Sequence, residues 1–192
     1  MKLIIGTDEA GRGPLAGSVY AAAVALPRDF PFEILNDSKK LSQSKRLKAE
    51  TVIKDKALAW AVSFVTAQEI DRINILNASL KAMSMCCARV VSILRSKGLE
   101  PDLILADGNR CPDVEIECRA VVKGDSKIFE IMAASILAKT ERDRYMQQMA
   151  LKYPQYGFEK HKGYPVKMHY QAIEKYGPCP IHRMSFKGVS QH

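Results

Sequence analysis

The sequence predicts an α/β fold: a mixed sheet with helices packed against it, in a single domain. Three observations carry that expectation. Short apolar segments rich in Val, Ile and Ala recur along the chain, helical repeats of apolar residues separate them as crossover connections require, and two of these segments deliver an aspartate to their C-terminal ends. A chain of 192 residues, 47% of them hydrophobic, is long enough for one well-buried core and little longer than an ordinary domain.

Residues 2–7 are short, apolar and β-branched, and residues 18–26 are rich in Val and Ala between Gly17 and Pro27, so both read as buried strands. Between them two adjacent carboxylates, Asp8 and Glu9, stand where the first strand is expected to end, just ahead of a Gly-Arg-Gly turn. Residues 42–56, rich in Lys, Arg, Glu and Ala, read as an exposed helix capped by Ser42. Leu58, Trp60, Val62 and Phe64 alternate with smaller residues, the pattern of a half-buried strand. Across residues 77–97, Leu80, Met83, Cys87, Val91 and Leu94 recur at helical spacing, with Gly98 as a stop and Pro101 beyond it.

"DLILADG" is a further short buried strand, ending on Asp107. Residues 116–122 read as another strand, and "KGDS" then places Asp125 or Ser126 to cap a long helix through Ile128, Ile131, Met132, Ser135, Ile136 and Lys139. Residues 153–165 hold two prolines, two glycines and three tyrosines and read as a loop. A C-terminal helix from about residue 166 to 176 and an irregular tail follow, and Asp143 on the long helix is expected to pair with Arg142 or Arg144.

The formal net charge of +8 favours polyanionic partners, nucleic acid first. Five cysteines without a C-x-x-C pair indicate neither a disulfide framework nor a zinc ribbon, and a reducing cytoplasm suits them. Asp8, Glu9 and Arg12 interrupt any signal-like apolar region and no run reaches membrane-spanning length, so a cytoplasmic protein with no membrane partner is expected. His161, His169 and His182 are too widely spaced to suggest a metal site.

Taken alone, Asp8, Asp107 or Asp125 reads as an ordinary turn or cap residue. Together they read otherwise, because ligands of open α/β sheets gather at the carboxyl ends of strands. Several carboxylates brought close repel one another unless protonated or neutralised by cations. Oxygen ligands without His or Cys point to Mg2+ or Mn2+, and two such ions about 4 Å apart can activate water and stabilise the leaving oxygen in phosphodiester hydrolysis.

"DEAGRGPLAG", "DSKKLS", "ADG", "KGDSKIFEIMAASILAKTERD" and "YPQYGFEKHKGY" closely resemble the motifs of bacterial ribonuclease HII, the type-2 ribonuclease H family, in the same order from Ile5 to about Phe186. The resemblance implies the ribonuclease H-like fold, with a central five-stranded mixed sheet flanked by helices. It also implies a four-carboxylate Mg2+ or Mn2+ site of Asp8, Glu9, Asp107 and Asp125. It implies that Gly11, Arg12 and Gly13 contact the 2'-hydroxyls around the cleavage site, where glycines let the backbone approach a sugar closely. Tyr164 would stack on the deoxyribose that follows the ribonucleotide, and Ser38, Lys39 and Lys40 would contact backbone phosphates. Lys123, Ser126 and Lys127 surround Asp125 in sequence and could hold phosphate as well.

The expected activity is a metal-dependent endoribonuclease that acts on RNA/DNA hybrids and cuts 5' of single ribonucleotides in duplex DNA, leaving a 3'-hydroxyl and a 5'-phosphate. Ribonucleotide removal from DNA is the expected role. A catalytically silent, basic nucleic-acid-binding module of the same fold is the alternative, though such a module has no need to gather anionic side chains against a polyanion. A nucleotide-binding P-loop is absent. No sliding-clamp-binding motif is evident in the tail, and a monomer is expected.

Overall fold

The computed structural model describes residues 2–35 and 41–189. Ser38, Lys39 and Lys40 lie outside the described residues. Five strands, β1 (Ile4–Ala10), β2 (Val19–Ala25), β3 (Ala59–Val65), β4 (Leu103–Asp107) and β5 (Cys118–Val121), form one sheet in the order β3-β2-β1-β4-β5. The pairs β1/β2 and β2/β3 run antiparallel, and β1/β4 and β4/β5 run parallel. The helices are α1 (Gln43–Lys56), α2 (Ala67–Ile73), α3 (Ile75–Ser96), α4 (Phe129–Lys152), α5 (Phe158–His161) and α6 (Lys167–Tyr176).

Local chemistry sets several boundaries. Ser42 Oγ accepts the Lys45 N–H and caps α1, as the sequence predicts. Thr66 and Asn74 cap α2 and α3 in the same manner, Asn74 at a left-handed φ of 65° that turns one helix sharply into the next. The α3 helix packs its Met83, Cys86, Val90 and Leu94 on one face of the sheet, while α4 and α1 cover the other through Ala133, Ala134, Leu137 and Ile53. A third apolar cluster joins the second half of α4 to α5, α6 and the C-terminal segment through Met146, Tyr156, Phe158, Ile173 and Val189.

The structure corrects five expectations. The first strand does not stop at Thr7 but runs to Ala10, because Asp8, Glu9 and Ala10 pair with Ala22, Ala21 and Tyr20 of β2. Ladder pairing with β2, which continues past the end of the β4 pairing at Thr7, outweighs the poor strand preference of acidic residues. In β3 the small residues Ala59, Ala61 and Ser63 form the buried face under α3, whereas Trp60 and Val62 are half-buried and Phe64 is exposed. Trp60 turns instead toward α1, where its indole N–H donates to the Lys54 carbonyl at 3.2 Å. The long helix begins at Phe129 with Ile128 as a cap that offers no side-chain bond, and Asp125 and Ser126 sit earlier, in a separate 3-10 turn, Gly124–Ser126. Asp143 pairs with Lys139 at 2.7 Å and Arg46 at 3.4 Å rather than with Arg142 or Arg144, since adjacent helical residues point apart. Residues 153–165, expected as a loop, also contain a 3-10 turn and the short α5.

Candidate active site

The two central parallel strands bring the first two carboxylates together. Thr7 of β1 pairs with Ala106 of β4, so the next residues along, Asp8 and Asp107, emerge side by side at the same end of the sheet. Glycine at position 6 sets the roof above them. A Cβ there would collide with the backbone of Glu130 and Ile131, so only glycine lets the first turn of α4 rest directly on β1. One turn further on, Ser135 stands over Asp8.

The third carboxylate is held by the second. Asp107 Oδ1 accepts the backbone N–H of Gly124 at 2.7 Å and of Asp125 at 3.3 Å, pinning the 3-10 turn to the end of β4. Carboxylate oxygens of Asp8, Asp107 and Asp125 consequently lie within 4.8 Å of one another. Asp8 and Asp125 are buried, and burial pushes the Asp8 carboxyl well above the usual range, reinforced by the charges of Glu9 and Asp107 and opposed by a hydrogen bond from Ser135. Converging oxygens of this kind, with no nitrogen or sulfur among them, fit a hard divalent cation, whose charge would offset the burial and repulsion that raise Asp8.

Strand alternation separates the adjacent acids. Gly6 and Asp8 face α4, while Thr7 faces α3, its hydroxyl bonded to the Ala22 carbonyl and in contact with Cys86. Glu9 therefore leaves the sheet on the other face, accepts from Arg12 at 3.4 Å and stands outside the set of three, although it opens on the same cleft. Burial raises its carboxyl too, against the pull of Arg12.

The cleft encloses about 230 Å³. Gly11, Arg12 and Gly13 form one wall, Tyr164 another, and Ser135 and Lys139 of α4 a third. Gly11 requires glycine twice, for its φ of 101° and because a Cβ would strike the Arg142 side chain. Gly13 requires it on neither ground, since its φ is not positive and a Cβ would sit an ordinary 3.6 Å from Tyr164 Cε1. Lys123 and Ser126 flank Asp125 but are not among the residues lining the cleft, and the Ser126 hydroxyl is bonded to the Lys123 carbonyl. Lys127 donates to the Val122 carbonyl.

Sequence reading treated Ser135 and Lys139 only as members of the long helix, yet both line the cleft. Their signal was two polar residues four apart in a stretch, residues 131–139, otherwise made of Ile, Met, Leu and Ala. Arg142 and Arg183, fully buried behind the glycine turn, carried no such signal.

The family model described as Ribonuclease HII matches residues 5–189. Ribonuclease HII of Vibrio parahaemolyticus is 52% identical over 190 residues, covering 99% of this chain and 87% of that protein. Among solved structures, ribonuclease H2 from Pyrococcus horikoshii OT3 superposes with a TM-score of 0.71 at 27% identity, covering 97% of this chain and 95% of that one. Bst-RNase HIII in complex with Mn2+ gives a TM-score of 0.74 at 18% identity, a likeness of fold over 98% of this chain and 68% of that one. A carboxylate cluster at the carboxyl ends of two parallel strands, on a sheet of this order and in a sequence this similar, places the chain in the ribonuclease HII family of metal-dependent endoribonucleases.

Proposed function

We propose that this enzyme cuts duplex DNA on the 5' side of an embedded ribonucleotide, and the RNA strand of RNA/DNA hybrids, leaving a 3'-hydroxyl and a 5'-phosphate. The observation that carries this reading is the meeting of Asp8, Asp107 and Asp125 oxygens within 4.8 Å beside a glycine turn able to approach a sugar.

Asp8, Asp107 and Asp125, with Glu9 at the cleft edge, would hold Mg2+ or Mn2+. Two such ions supply an activated water and stabilisation of the leaving oxygen. The protein's own groups do the remaining work. Asp107 holds the Asp125 turn in place before any metal arrives, and Ser135 orients Asp8. The backbone of Gly11–Gly13 meets the 2'-hydroxyl, which explains Gly13: nothing in the protein requires glycine there, so the space is kept for what enters the cleft. The Tyr164 ring, exposed beside Gly13, stacks on the next sugar, and Lys139 brings positive charge to the roof. Ser38, Lys39 and Lys40, and more weakly Lys123 and Ser126, supply contacts to backbone phosphates. In this reading residues 1–192 act as one catalytic domain. The silent-module alternative is disfavoured by the cost of crowding buried carboxylates at a surface meant for a polyanion.

A duplex carrying one ribonucleotide, incubated with and without Mg2+, tests the proposal. The expected result is a single cut 5' of the ribonucleotide that requires the metal, with no cut in the matched all-DNA duplex. Binding without any metal-dependent cut would favour the silent module.

A further inference from the structure

The C-terminal segment, an irregular tail by sequence, carries a cation that faces into the protein. Arg183 is fully buried, and its acceptors are backbone carbonyls. Nε donates to Gly17 at 2.9 Å, Nη1 to Arg12 at 2.9 Å and Pro14 at 2.8 Å, and Nη2 to Gly11 at 2.6 Å. All four carbonyls belong to residues 11–17. Main-chain bonds complete the strap: Arg183 N–H donates to the Leu15 carbonyl and Gly17 N–H to the Ile181 carbonyl, each at 2.8 Å. Asp71 of α2 anchors the far side, accepting the N–H groups of Met184 and Ser185 at 2.9 Å.

Burying a guanidinium is expensive, and a second one lies behind the same turn. Arg142 donates to the carbonyls of Ala16 and Lys162, fills the space that the missing Gly11 side chain leaves, and has its Nε and Nη1 without hydrogen-bond partners among the described residues. Burial and the Arg142 charge push Arg183 down to about 9. Each guanidinium satisfies main-chain carbonyls that an apolar side chain would leave unpaired, so the pair is tied to the path the chain takes through residues 11–17.

Peptide geometry shows what the clamp achieves. A trans peptide points its N–H opposite to its C=O. With the Gly11 and Arg12 carbonyls drawn inward to Arg183, the N–H groups of Arg12 and Gly13 face outward, and neither donates to a protein acceptor among the described residues. We propose that Arg183 is a positioning residue for ribonucleotide recognition, its four-carbonyl clamp aiming the Arg12 and Gly13 amides at the 2'-hydroxyl. This inference rests on the reading of the glycine turn given above.

The test is the ratio of affinities for a duplex with one ribonucleotide and for the matched all-DNA duplex, measured without turnover in the presence of Ca2+. A variant that merely lowers the folded fraction scales both affinities alike and leaves the ratio unchanged. Arg183→Gln should cut the ratio about five- to tenfold, the worth of one or two hydrogen bonds, with all-DNA affinity within about twofold of wild type. Should Arg183→Gln fail to fold, Arg183→Lys keeps the charge but cannot span four carbonyls, and it should lose most of the preference as well. A wild type that prefers the ribonucleotide, with Arg183→Lys keeping the full ratio, overturns the clamp alone. A wild type with no preference removes the reading of the turn, and the clamp with it.

Discussion

A residue's neighbours in sequence and its neighbours in space diverge most at Asp8 and Glu9. The sequence places both at a strand end, but alternation along β1 sends them to opposite faces, so only Asp8 joins the cluster of three. The convergence of Asp8, Asp107 and Asp125 was legible because apolar runs lead into the first two and a turn signal surrounds the third, although β1 continues past Asp8 and Asp125 sits in a 3-10 turn. Arg183 was not, since the burial of a single arginine among "HRMSF" depends on carbonyls about 170 residues earlier in the chain. Tyr164 offers a prediction at this scale. Its ring lies 5.8 Å from the Arg142 guanidinium and stands exposed at the cleft. If it stacks on a deoxyribose, Tyr164→Ala should slow cleavage at a single ribonucleotide by roughly tenfold to hundredfold and cleavage of a long hybrid by less, while Tyr164→Phe stays close to wild type. Equal losses on both substrates together with a lowered melting temperature would instead make Tyr164 a packing residue of its loop.

At the scale of elements, apolar runs, periodicity and composition with a cap residue together located every strand and the helices α1, α3, α4 and α6, whereas the short α2 was missed. What they could not give was how closely the elements approach. Gly6 is an unremarked member of a strand until α4 is seen lying across it. Gly6→Ala should therefore lift α4 from β1 and lower stability by about 1–3 kcal/mol, readable as a lower denaturation midpoint. The loop that presents Tyr164 has its own support. Cys179 N–H donates to His182 Nδ1, which leaves the proton on His182 Nε2 to bridge 3.0 Å to His169 Nε2, and His169 Nδ1–H then donates to the Tyr164 carbonyl. Burial lowers both imidazoles to about 4, with the stacked His161 adding to the effect. Below the ordinary value near 6.5 the unfolded chain takes up these protons and the folded chain does not. Their contribution to stability is thus complete above about pH 6.5 and is lost as pH falls toward 4. Thermal melts between pH 7.5 and 4.5 should fall more steeply for wild type than for His169→Gln, and parallel curves would show that the pair is not held neutral.

For the whole molecule, affinity and chemistry have different sources. The net charge of +8 is spread over the chain and attracts a polyanion wherever phosphates reach it, so binding should weaken steeply with salt. Lys39→Ala should reduce both the affinity and the salt slope, by about one unit of slope, without moving the cut. An unchanged slope would take Lys39 out of the phosphate contacts. The fold was legible in the order of its elements and in the motifs that resemble ribonuclease HII, whereas the buried arginines behind the cleft, Arg142 and Arg183, came only with the third dimension, since each bonds to a carbonyl more than 100 residues earlier in sequence. On the proposed reading, cutting, in contrast to binding, rests on a single point, the carboxylates that meet where the β1/β4 pairing ends. The most direct measurement is the single-turnover cleavage rate of Asp107→Asn on a duplex with one ribonucleotide, at saturating Mg2+ and with the duplex affinity measured alongside. The account predicts a rate at least about 100-fold below wild type at nearly unchanged affinity, and a rate close to wild type would contradict it.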